Sequence, residues 1–120
     1  HVPKFAYAHF DQAHDLEGRA TWLDARLHES LTNIMSRNNN TIILLLSDHG
    51  GTPVELPLFS MLVPTAFMQT QPLMAKNLHI NQDRVVSWYD AYMTLRHLLN
   101  LTDDPRRTAS HVPLGAQSLL

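Results

Sequence analysis

The sequence predicts an α/β fold, a mostly parallel sheet flanked by helices, and three observations carry that expectation. Residues 42–46 read Ile-Ile-Leu-Leu-Leu, an apolar run that halts at Ser47-Asp48-His49-Gly50. A run without polar alternation suits a central strand covered on both faces. The earlier segment Lys4 to Phe10 is apolar and aromatic enough for a second strand. A helical pattern lies between the two, and strand, helix, strand makes a right-handed parallel crossover the default topology.

Each element follows from its residues. A polar loop runs from Asp11 to Gly18 after the first expected strand. From about Ala20 to Arg37, the residues Leu23, Leu27, Leu31, Ile34 and Met35 recur at three- and four-residue spacing, the mark of an amphipathic helix. Arg37-Asn38-Asn39-Asn40 ends it and turns the chain into the strand Thr41 to Leu46. Leu56 to Val63, bracketed by Pro57 and Pro64, is a third strand whose early proline fits an edge or first-residue position. Thr65 to Gln82 has no clear period and reads as a long loop. The last helix starts near Ser87, where Ser87 and Asp90 have capping-box spacing, and passes through Tyr92, Leu95, Leu98 and Leu99. It stops before Thr102-Asp103-Asp104-Pro105, and the polar tail beyond turns apolar at Ser118-Leu119-Leu120.

Composition narrows the function classes. At 120 residues the chain has the size of one domain and can bury a modest core. A net charge of −2 leaves no electrostatic footprint for nucleic acid or an anionic membrane surface. No apolar stretch approaches the roughly 20 residues that span a bilayer, and no signal peptide opens the chain. Cysteine is absent, which removes a thiol nucleophile, a thiolate zinc site and a disulfide framework. Two Asn-x-Thr sequons, at Asn39 and Asn100, fall where loops are expected and lean toward an extracellular or secretory-pathway location.

The candidate chemistry lies in two Asp/His constellations. Asp48 and His49 stand at the C-terminal end of the expected central strand, where open α/β sheets place their ligands. A carboxylate oxygen beside an imidazole nitrogen suits zinc or manganese. Gly50 and Gly51 let the backbone turn there without a Cβ. The plain alternative is a polar turn after a buried strand. Asp11-x-x-His14 forms the second constellation, with His9 and Asp15 as neighbouring alternatives. An oxygen and a nitrogen ligand three residues apart can bend onto one ion when the loop is compact, although a solvated surface loop has the same composition. Neighbouring parallel strands would bring both pairs to one sheet edge, as in a two-metal hydrolase. Of the other histidines, His28 and His97 fall within helical patterns, whereas His1, His79 and His111 fall in expected loops.

The order of these motifs resembles the alkaline phosphatase and sulfatase superfamily, and within it a sulfatase-like animal branch. Asp11-x-x-His14, the helix, and Asn40-Thr41-Ile42-Ile43 leading into Ser47-Asp48-His49-Gly50 carry the resemblance. Glu55-Leu56-Pro57, Asn77-Leu78-His79-Ile80-Asn81, Tyr89 to Leu95 and Gly115 to Leu119 extend it over nearly the whole chain. The resemblance implies an alkaline-phosphatase-like sheet, with residues 1–120 as the C-terminal part of a single catalytic domain. It makes Asp48 and His49 ligands of the metal that holds the nucleophile. His14, with Asp11, becomes a ligand of a second metal, or His14 a catalytic residue that contacts the substrate. The nucleophile and a further acidic ligand belong upstream of these motifs in the superfamily. Relatives carry a longer loop where four residues separate Gly50 from Glu55 here.

The activity so implied is metal-dependent hydrolysis of a phosphate or sulfate ester, on a small molecule or a glycan. The cofactor is divalent: zinc or manganese on the phosphatase side, calcium on the sulfatase side. Neither nucleic acid nor membrane contact is expected of this segment. A non-catalytic extracellular binding or scaffold domain that keeps the fold is the alternative, and an unrelated α/β segment with a chance Asp-His-Gly turn is a third.

Overall fold

The structure, a computed structural model, describes residues 4–11, 18, 20–52, 55–99, 101 and 115–120. The elements run α1 (Ala20–Arg37), β1 (Ile43–Leu46), β2 (Phe59–Leu62), α2 (Thr65–Thr70), α3 (Pro72–Asn81) and α4 (Trp88–Leu99). The chain divides into two compact units, Lys4–Phe67 and Met68–Leu120, with the boundary inside α2.

In the first unit α1 fills the span that its apolar spacing predicts. Gly18, at a left-handed φ of 88°, offers its carbonyl to both the backbone N–H and the hydroxyl of Thr21 at the helix start. At the other end the Asn38 backbone and side-chain amides both donate to the Ile34 carbonyl, at 2.9 and 3.4 Å. The apolar stripe is only half-buried at Leu23, Leu27, Leu31 and Met35.

The sheet departs from the expected topology. Among the described residues it has two strands, β1 and β2, paired antiparallel in the register Ile43↔Leu62 to Leu46↔Phe59. Residues 4–10, expected as the first strand, carry no strand. A strand requires a neighbour for its backbone polar groups, and β1 finds that neighbour in β2, the next apolar run, instead of across α1. Phe5, Tyr7 and Phe10 are accordingly exposed. Within the first unit, among the described residues, β1 and β2 are also the one pair of elements in close backbone contact. Residues 43–45 are half-buried and Leu46 is exposed, in place of full burial on both faces.

The second unit differs from expectation in one stretch and meets it in another. Residues 65–81, expected as part of a long loop, form α2 and α3, and the exposed His79 lies in α3. Pro72 stands in the first turn of α3, where its missing N–H costs nothing. The capping box at α4 forms as predicted. The Ser87 hydroxyl accepts the Asp90 N–H at 3.3 Å, while the Asp90 carboxylate accepts the Ser87 N–H and hydroxyl at 2.7 Å each.

Residues 117–119 then dock on α4. Asp90, Thr94 and His97, spaced four and three apart, share one helix face and take the tail's polar groups in turn. Gln117 N–H donates to Asp90 at 2.7 Å, Leu119 N–H to the Thr94 hydroxyl at 2.9 Å, and Ser118 Oγ lies 2.9 Å from His97 Nδ1. Asn81 Nδ2 reaches back from α3 to the Leu119 carbonyl at 3.1 Å. With those groups satisfied, Ala91, Met93, Leu119 and Leu120 bury their side chains, and Thr94 is wholly enclosed. Gly115, at φ 107°, makes the turn that brings the tail in.

Candidate functional site

The loop that leaves β1 is built by Ser47. Its backbone N–H extends the ladder to the Leu58 carbonyl at 3.0 Å, and its hydroxyl accepts the Leu58 N–H at 2.7 Å. That side-chain acceptor closes the ladder, and the chain turns out of the sheet at the next residue. Asp48 and His49 therefore project beyond the strand end, with side chains 87% and 65% exposed. The pair follows the C-terminal end of β1, in an antiparallel connection and not at the edge of a parallel sheet.

Close approach explains the glycines. A Cβ on Gly50 would meet the backbone and side chain of Glu55, with its Cβ at 2.6 Å and its carbonyl carbon at 2.7 Å. One on Gly51 would meet Glu55 Oε2 at 2.8 Å. Thr52 N–H donates to Glu55 Oε2 at 3.0 Å, and Glu55 N–H to the Thr52 carbonyl at 3.1 Å.

Local geometry orients the imidazole. His49 Nδ1 lies 2.7 Å from the Gly50 carbonyl, which can only accept, so Nδ1 carries a proton. In the neutral ring the lone pair then belongs to Nε2, which lies 3.7 Å from Asp48 Oδ2. Two donor atoms at that separation can both reach one ion at about 2.1 Å. A ring N–H held by a backbone carbonyl is also the usual support for a metal-ligating histidine. The donor set and spacing thus fit a divalent cation. The Gly50 carbonyl, and after it the Asp48 carboxylate, stabilise the protonated ring and raise the His49 pKa above the ordinary value, with burial opposing.

The second constellation is described in part. Asp11 accepts from His9 Nε2 at 2.7 Å, and the Tyr7 hydroxyl lies 3.3 Å from His9 Nδ1. The Tyr7 and His9 rings stack with centroids 6.4 Å apart. The partner of Asp11 here is thus His9, the neighbouring alternative in the sequence. His14, Asp15, His1 and His111 lie outside the described residues, as does the Asn100 sequon. Among the described residues no group of three or more His, Asp or Glu side chains is placed to hold one ion.

One feature had no sequence signal. The second unit holds an open groove of about 560 Å³, lined by Asn77, Asn81, Arg84, His97 and Gln117 among others. Only after the tail docks do these residues line one space. Arg84 belongs to no motif, and Gln117 fills a variable position of the Gly115–Leu119 segment.

No curated protein and no solved structure matches the chain significantly. Residues 3–114 match the family described as "Protein of unknown function (DUF229)", a span that includes both Asp/His constellations and the capping box of α4. The chain belongs to this sulfatase-like family.

Proposed function

We propose that this chain is the C-terminal part of a metal-dependent hydrolase of phosphate or sulfate esters, with Asp48 and His49 as ligands of a divalent metal. The observation that carries the reading is the 3.7 Å pairing of Asp48 Oδ2 with His49 Nε2 at the end of β1, on a ring whose Nδ1 proton is held by Gly50. Zinc or manganese suits that nitrogen–oxygen set, and calcium the harder sites of sulfatases. Held there, such an ion would lower the pKa of the attacking group and neutralise charge in the transition state. The chain's own share is positional: Ser47 ends the strand, Gly50 admits Glu55, and the two donor atoms stand 3.7 Å apart. His14, with Asp11, serves a second ion, or His14 protonates the leaving oxygen.

The nucleophile and remaining acidic ligand come from residues outside this sequence, on an alkaline-phosphatase-like sheet that β1 joins. The half-buried strand β1 and the exposed Phe5, Tyr7 and Leu56 leave apolar surface for that extension. The substrate is a small-molecule or glycan ester met outside the cell or in the secretory pathway.

Hydrolysis of an aryl phosphate and an aryl sulfate by the full-length protein tests the reading. Asp48→Ala should abolish turnover while leaving the circular dichroism spectrum unchanged. Turnover that survives the substitution rules out the ligand assignment. A non-catalytic binding or scaffold domain that keeps the fold is the second reading. It predicts no turnover of either ester.

A further inference from the structure

We propose that Asn39 carries an N-linked oligosaccharide, making the turn after α1 a modification site. Asn39-Asn40-Thr41 is an acceptor tripeptide whose middle residue is not proline. Three structural observations support its use. Asn39 and Asn40 form a turn between α1 and β1, and both are exposed. The end of α1 is secured by Asn38, whose backbone and side-chain amides both donate to the Ile34 carbonyl. Helix termination therefore makes no demand on the Asn39 amide.

The third observation is position along the strand. The turn precedes β1, while Ser47 to Gly50 lie beyond its other end. An extended chain advances about 3.3 Å per residue, so Thr41 and Asp48 stand on the order of 20 Å apart. A glycan at Asn39 leaves the Asp48–His49 pair open to substrate.

The transfer balances with a lipid-diphosphate-linked oligosaccharide as donor, a reagent of secretory-pathway membranes. The Asn39 amide nitrogen bonds to the anomeric carbon and loses one proton. The bond from that carbon to the lipid diphosphate breaks, and the diphosphate leaves with the electron pair. Nothing is oxidised or reduced.

The test uses the full-length protein made in animal cells under its own targeting signals. Enzymatic release of the glycan in heavy-oxygen water converts a modified asparagine into labelled aspartate, which peptide mass spectrometry locates. Label at residue 39 is expected in the wild type, lost in Thr41→Ala and kept in Thr41→Ser, which retains the hydroxyl. An unlabelled Asn39 in the wild type overturns the proposal, and so does label that persists in Thr41→Ala. The wild-type reading decides even where a variant is poorly produced.

Discussion

Two of the Asp/His pairs in this chain, one in each unit, stand under opposite conditions. Asp90 and His97 lie on one face of α4, and both serve the fold. The first caps the helix and takes Gln117 N–H, and the second meets Ser118. Asp48 and His49 lie beyond β1, largely exposed, in contact with each other and Gly50. Removing Asp90 or Thr94 would strand backbone groups of the tail, whereas removing Asp48 would strand none of the described ones. A largely exposed Asp/His pair beyond a strand end is where function is to be sought first.

Substitutions sharpen the contrast, beginning with the largest effect. Met93 is 1% exposed at the centre of the small core. Met93→Ala should lower the urea-unfolding free energy by about 2–5 kcal/mol. A loss under about 1 kcal/mol would show that Met93 is not packed in a core. Thr94→Val keeps the shape but removes the acceptor for Leu119 N–H, and should cost about 1–3 kcal/mol. Hydrogen exchange at Leu119 checks the cause, because that amide should lose its protection in the variant.

Gly50→Ala brings the contrast to the site. Its new Cβ must displace the Glu55 backbone, with an expected cost of about 1–3 kcal/mol. A Gly50→Ala protein as stable as wild type would disprove the close approach. A smaller effect concerns pH. Partial burial pushes the Asp90 carboxyl up, but hydrogen bonds from Gln117 and Ser87 outweigh it and hold the pKa below the ordinary value. A carboxylate depressed in the folded state adds stability above its unfolded pKa, and that stability is lost as pH falls through the folded value. Asp90→Asn should therefore flatten stability against pH across the acidic range and cost about 1 kcal/mol at neutral pH. An unchanged acid profile in Asp90→Asn would remove the cap from the account.

How far the sequence is readable follows the same division. α1 was legible because its apolar residues keep one period from Leu23 to Met35, and the α4 start because Ser87 and Asp90 carry the cap in their own side chains. β1 was legible as a strand, but its partner was not. Lys4 to Phe10 looks as strand-like as Leu56 to Val63, and hydrophobicity does not say which of them supplies the hydrogen bonds. α2 and α3 escaped because they bury no residue and Phe67, Met68, Leu73, Met74 and Leu78 make no single stripe. Pro72 at the start of α3 was the signal available. At the site, Ser47-Asp48-His49-Gly50 announces its residue types and its strand-end position. The ring orientation set by the Gly50 carbonyl, and the return of Glu55 that leaves Gly50 no room for a Cβ, needed coordinates. The Gly-x-x-Ser-Leu and Asn-Leu-x-x-Asn motifs were legible as patterns only. Their physical sense, a tail docked on Thr94, His97 and Asn81, appears in three dimensions.

The most direct test is elemental analysis of the purified full-length protein beside its Asp48→Ala/His49→Ala double mutant. About one or two equivalents of zinc or manganese, or a single calcium, should accompany the wild type and be lost from the folded double mutant. A wild type that folds without metal, or a double mutant that keeps its full complement, would contradict the assignment of Asp48 and His49.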